Sequence, residues 1–107
     1  MTYNKTVVLA FFKSMGLPEP EVEYQFAKHI GRKWRWDFAW VHPGYLLALE
    51  VQGAIFTQGR HTRGASLRLE HEKLNAAAVM GWRVLYVEPA NLCMVSTANM
   101  IKEALEL

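Results

Sequence analysis

Hydrophobic and polar positions alternate along four stretches of the chain. In residues 21–26, "EVEYQF", Val22, Tyr24 and Phe26 alternate with Glu21, Glu23 and Gln25, the period of a strand with one buried face. In residues 34–41, "WRWDFAWV", the pattern puts Trp34, Trp36, Phe38 and Trp40 on one face and Arg35, Asp37 and Ala39 on the other. Residues 45–52, "YLLALEVQ", are apolar until Glu50, which predicts a central strand covered on both faces. Residues 82–87, "WRVLYV", give a fourth strand. Helical spacing predicts three further elements. The first spans residues 6–15, capped by Thr6 and closed by Gly16. The longest spans 65–80, with Leu67, Leu74, Ala77 and Ala78 as its apolar stripe and Gly81 as its stop. The last starts at a Ser96 or Thr97 cap and runs to about Glu106. The expected fold class is therefore α/β: a single domain in the order α-β-β-β-α-β-α, with a mixed four-stranded sheet flanked by helices.

Two acids interrupt these apolar strands. With Pro43-Gly44 as the centre of the turn between strands two and three, Trp40 faces Leu47 and Asp37 faces Glu50. Directly opposed residues share a face, their Cβ atoms about 4.5–5.5 Å apart. Gln52 joins Glu50 on that face by alternation, opposite Arg35. A slip of one residue would separate the two acids, and the alternation of the apolar residues argues against it. Two carboxylates this close either share a proton or hold a cation. Hard oxygen donors on adjacent strands suit Mg²⁺ or Mn²⁺, and such ions support phosphodiester chemistry. The plain alternative is that Asp37 pairs with Arg35 or Arg83 and Glu50 with a lysine, as ordinary satisfied charges.

Composition narrows the class. Half of the 107 residues are apolar, enough for a core without disulfides. The single Cys93 excludes an internal disulfide and a multi-cysteine zinc site, and fits a reducing, cytoplasmic setting. The apolar run at residues 7–12 is too short to cross a bilayer, so no membrane role is expected. A net charge of +2 neither demands nor forbids a polyanion. The cations are clustered, however: Lys28, His29, Arg32, Lys33 and Arg35 in one segment, Arg60, His61, Arg63 and Arg68 in another. Clustered loop cations form a footprint for phosphates, or simply two solvated loops.

The string Asp37 … Glu50-Val51-Gln52 resembles the signature of the PD-(D/E)XK nuclease superfamily. The blocks "WRWDFAW", "LALEVQG", "GRHTRG" and "EKLNAAAVMGWRVLYV", in this order, look like those of its small, mostly phage-encoded endonucleases. The similarity extends to VRR-NUC nucleases and archaeal-type Holliday-junction resolvases. It covers roughly residues 21–87 and implies a restriction-endonuclease-like fold. It also implies a Mg²⁺- or Mn²⁺-dependent DNA endonuclease, acting as a homodimer on branched DNA, in a bacterial host cytoplasm if phage-encoded. Carried over, Asp37 and Glu50 ligate the metal and the Val51 carbonyl completes the inner shell. Gln52 stands where the family usually has lysine and cannot act as a base near neutral pH. Lys73, on the long helix, is the preferred substitute, with His61 as the other candidate; a solvated Lys73 paired with Glu70 is the plain reading. The family's early helical acid is missing, and Glu23 is the best replacement ligand, ahead of Glu21. Arg60, His61 and Arg63 would grip phosphates at the mouth of the site, with Arg32, Lys33 and Arg35 beside them. With no room for a sequence-reading domain, DNA shape would be read through backbone contacts. Two rivals stand beside this reading. One is a nuclease fold that binds DNA or a protein without cutting, Gln52 marking the loss. The other is a nuclease directed at RNA.

Overall fold

The chain's architecture follows from one strand that is buried almost throughout. In the computed structural model, which describes residues 3–53 and 63–107 (63–66 as backbone only), β3 spans Leu47–Val51. Leu47, Ala48 and Leu49 have no solvent exposure, so this strand must have neighbours on both edges and cover on both faces. β2 (Arg35–Trp40) pairs with it antiparallel and β4 (Arg83–Val87) pairs with it parallel. β1 (Glu21–Gln25) adds antiparallel to β2, giving a mixed four-stranded sheet in the order β1-β2-β3-β4. Helices α1 (Lys5–Ser14), α2 (Arg63–Met80) and α3 (Val95–Leu105) pack on it, and short 3₁₀ turns lie at Lys28–Ile30 and Pro89–Asn91. Among the described residues this is one α/β domain with a mixed four-stranded sheet and three helices, and no helix there is long and apolar enough to cross a membrane.

The sheet separates two cores. On one face Phe38, Trp40, Leu47, Leu49 and Val87 meet Val8 and Phe12 of α1 and Ala98, Ile101 and Leu105 of α3. On the other, Ala39 and Ala48 lie with Phe26, Ala27, Trp36, Trp82 and Ala77 of α2. The small alanines let α2 come close to the sheet, and Phe26 stacks on Trp36 at 4.1 Å between ring centroids.

The hairpin register is the expected one: Trp40 pairs with Leu47, Ala39 with Ala48 and Phe38 with Leu49. The connection absorbs the poor fit of Pro-Gly to a tight hairpin by widening into a loop, with Gly44 at φ 134° and Leu46 at φ 48°.

Four expectations need correction. The aromatic residues of β2 do not share a face: Phe38 and Trp40 lie in the α1/α3 core, whereas Trp34 and Trp36 belong to the α2 core. The break falls at Glu23, which takes a left-handed backbone (φ 51°) in the middle of β1, opposite the position of Asp37. Val22 and Tyr24 accordingly pack into different cores as well. The first helix is capped by Asn4, whose side chain accepts from the Val7 N–H at 3.1 Å, instead of by Thr6. The last helix starts earlier, with Met94 at the cap position and no side-chain cap, and the Thr97 hydroxyl, inside the helix, donates to the Asn91 carbonyl at 2.7 Å. Finally, α2 presents a different stripe from the expected one. Lys73, Leu74 and Ala77 face inward, while Leu67 and Ala78 are exposed, as are Leu69 and Val79. Gly81 does end this helix, at φ 95°, a conformation that glycine adopts without cost.

The orientation of α2 predicts a contrast between two leucines. Leu49→Ala removes a wholly buried side chain and should lower the unfolding free energy by about 2–5 kcal/mol in urea titrations. Leu69→Ala, at a position 55% exposed, should change it by less than about 0.5 kcal/mol. Equal losses would show that the outer face of α2 is packed after all.

Candidate active site

Beyond Phe38 and Leu49 the β2–β3 ladder gives way to bonds between side chains and backbone. The Asp37 N–H donates to Glu50 Oε1 at 3.0 Å, and the Val51 N–H donates to Asp37 Oδ2 at 2.7 Å. Each acid therefore satisfies a backbone donor on or beside the other's position. Such bonds to ionised acceptors are shorter and stronger than neutral ones. They also fix both carboxylates, leaving Asp37 Oδ1 and Glu50 Oε2 turned away from these backbone bonds.

Glu50 is almost fully buried, with 8% of its surface exposed, so its charge needs a partner. Lys73 supplies it: Nζ donates to Glu50 Oε2 at 2.8 Å and lies 4.8 Å from the Trp36 ring centroid. The plain reading of Lys73 as a solvated partner of Glu70 is thus replaced by a contact across the core. Burial pushes the Glu50 carboxyl above its ordinary value of 4.5. The Lys73 hydrogen bond and charge, and the Asp37 N–H, pull it back, while the charge of Asp37 adds to the rise.

Two tyrosines border the acids, and neither stood out in the sequence. Tyr86 on β4 is in register with Glu50. Its phenol is raised by burial, then by the charges of Glu70 and Glu50. Tyr3, just before α1, has its ring 6.0 Å from Phe38. Burial, then the charges of Asp37 and Glu50, push its hydroxyl to about 12. Strand alternation could have found Tyr86. Tyr3 is brought in by the seating of α1, which no local pattern encodes.

The remaining candidates divide. Gln52 follows β3; its N–H donates to the Val87 carbonyl at 2.8 Å, and its amide oxygen is buried without a partner among the described residues. Glu23 does not join the acid pair: its carboxylate is held by Lys5 and, at 3.2 Å, by Arg35. Glu21 sits exposed opposite Ala39. Among the described residues no group of three or more His, Cys, Asp or Glu could hold a metal. Arg32 lies 3.5 Å from Glu72 and stacks over Trp34 at 4.6 Å, and Lys33 beside it is exposed. Arg60 and His61 lie outside the described residues, and Arg63 opens α2 with its side chain likewise outside them.

Asp37 and Glu50 offer hard oxygen donors of the type a small divalent cation takes, with Glu50 Oε2 also accepting from Lys73. Two fixed carboxylates and the neighbouring Val51 carbonyl suit an ion that keeps waters and takes other ligands from a phosphate. No family model matches the chain, and no curated protein or solved structure matches it either.

The Glu50–Lys73 pair predicts a pH signature. With its native value raised, Glu50 keeps its proton to higher pH in the folded than in the unfolded chain. Its contribution to stability is complete below about 4.5 and is lost as pH rises through the raised value. In thermal melts over an acid-to-neutral series, Glu50→Gln should flatten this loss. Lys73→Met should move it to higher pH, since both of the Lys73 contributions that lower the value disappear. Parallel curves for all three proteins would contradict the assignment.

Proposed function

We propose that this chain is a divalent-metal-dependent nuclease of the restriction-endonuclease-like type, hydrolysing phosphodiester bonds in DNA. The observation that carries the reading is the arrangement of Asp37, Glu50 and Lys73. Two carboxylates are locked onto the opened end of a strand pair, and a buried ammonium comes from the covering helix. A buried Glu50 beside Asp37, with a single lysine for a partner, is costly to maintain as a purely structural feature, and a carboxyl raised by burial is of the kind that concentrates at functional sites.

In this reading Asp37, Glu50 and the Val51 carbonyl hold Mg²⁺ or Mn²⁺. The ion would supply electrophilic stabilisation of a phosphoryl oxygen and a better nucleophile from water. The chain's own groups do the rest. Lys73, charged in its pair with Glu50, donates N–H bonds to a water or a phosphate oxygen and offsets charge that builds there. It therefore positions and stabilises, and does not act as a base. Gln52 contributes an amide, not a charge. Arg32, Lys33 and Arg35 contact flanking phosphates, together with the cations at residues 60–63. Branched DNA and a homodimer complete the proposal; both come from the family resemblance.

The test is cleavage of labelled four-way junction and duplex DNA by purified protein in Mg²⁺ and in Mn²⁺. Junction cleavage is expected, absent from Asp37→Ala and Glu50→Ala. Lys73→Met should lower kcat by about 100-fold while DNA binding persists. Lys33→Ala should weaken binding without sequence preference and reduce the salt slope by about 1. Binding without cleavage by a folded sample in either metal would replace this reading with a non-cutting binding module.

A further inference from the structure

A cavity of about 580 Å³ opens at the carboxyl ends of β3 and β4, against the start of α3. It is large enough for a small planar ligand, and the carboxyl ends of parallel strands are a recurrent place for one. Its position is not independent of the acids. Gln52, two residues beyond Glu50, lines it, and so does Tyr86, the register partner of Glu50.

The lining has a chemical character of its own. Tyr86, Met94 and Met100 give it a soft apolar wall, and Tyr86 and Met94 are 43% and 47% exposed, unusual for side chains of this kind. Asn91 and Gln52 add amide groups, and the Gln52 oxygen is the buried acceptor left without a partner among the described residues. The only charged side chain in the described lining is Glu88. A phosphate would be repelled here. A neutral, flat heterocycle with N–H donors would stack on Tyr86, contact the thioethers and donate to the Asn91 amide or the Glu88 carboxylate.

We propose that this cavity receives one unstacked nucleobase next to the phosphate held at Asp37 and Glu50. The inference rests on the nuclease reading for its substrate. It gives the enzyme a second anchor: cations and the acid site hold the backbone, and the cavity holds a base. A base can enter only if it is released from a continuous stack, which costs least in single strands and at branch points. The cavity therefore selects for locally opened nucleic acid.

Two measurements test it on the full chain. In the first, methyl spectra of ¹³C-methionine protein are followed while each of the four deoxynucleosides is added, a probe that needs no cleavage. The Met94 and Met100 signals should shift saturably, and that of Met15, in the α1/α3 core, should not. Met100→Trp, which fills the cavity, and Ser96→Trp, at an exposed position on its rim, should each weaken this binding roughly tenfold. Two variants are used so that one failing to fold leaves the other. In the second, branched oligonucleotides carrying 2-aminopurine at successive positions are bound with hydrolysis stopped by a chelator. One position should brighten, and the same substitutions should remove the signal while overall binding is kept. Cleavage of DNA without methionine shifts and without a brightened position would overturn the base pocket and leave the nuclease reading standing. Saturable methionine shifts in a protein that cuts nothing would uphold the base pocket and remove the hydrolytic reading.

Discussion

The reciprocal capping of Asp37 and Glu50 is the constraint around which the rest of this chain is arranged. Where β2 and β3 part, backbone N–H groups at Asp37 and Val51 lose a ladder and gain carboxylates. A buried N–H left without an acceptor costs about 1–3 kcal/mol, so the two acids are part of the sheet as well as part of a site. Their geometry is consequently inherited from the register. As long as Phe38 stays opposite Leu49, each carboxylate reaches a backbone N–H on or beside the other's position. Register is in turn enforced by apolar burial, since a one-residue slip would push Leu47 and Leu49 out of the core that seats α1 and α3.

The same constraint decides how α2 must lie. Glu50 points to the α2 face, next to Ala48, and its charge is intolerable there without a cation. The small Ala39 and Ala48 bring the helix near, and Ala77 packs between it and the aromatic wall of Phe26, Trp36 and Trp82. At that distance Lys73, one turn before Ala77, reaches Glu50 with its head group over Trp36. The helix is placed by small residues and an aromatic stack, and the ion pair is a consequence of that placement.

Much of this was legible in advance, and the misses have physical causes. The strands, their order and the β2–β3 register follow from apolar alternation, which is strong in "WRWDFAW" and "LALEV". Asp37 and Glu50 were found because register and alternation together put them on one face. The change of face within β2, between Trp36 and Phe38, was not legible, and neither was the left-handed backbone at Glu23 in the paired strand β1, a residue whose type does not announce it. The face of α2 misled for another reason. Its inward stripe includes Lys73, and its outward surface includes Leu67, Leu69 and Val79, so burial and polarity nearly decouple along it. A helix that turns a lysine inward and leucines outward shows little apolar periodicity, and the acid across the core accounts for the lysine. Glu23 was misjudged because its other partners, Lys5 and Arg35, come from α1 and β2 and satisfy it away from the acid pair.

The lysine on the helix also changes the meaning of Gln52. Two carboxylates and one ammonium leave the site with a net negative charge, which a divalent cation can neutralise and exceed. A second ammonium at position 52 would bring the site to neutrality before any cation arrived, and both ammonium groups would then repel it. Once Lys73 reaches Glu50, an uncharged residue at 52 preserves the attraction for a cation. The Gln52 backbone is still needed where it is, bonded to the Val87 carbonyl and continuing β3 toward β4. Glutamine meets both demands, and the residue also lines the adjoining cavity. On the proposed reading, then, the departure at position 52 is a displacement of the charge from strand to helix, and the acid pair keeps the electrostatics a phosphodiester-cutting site requires.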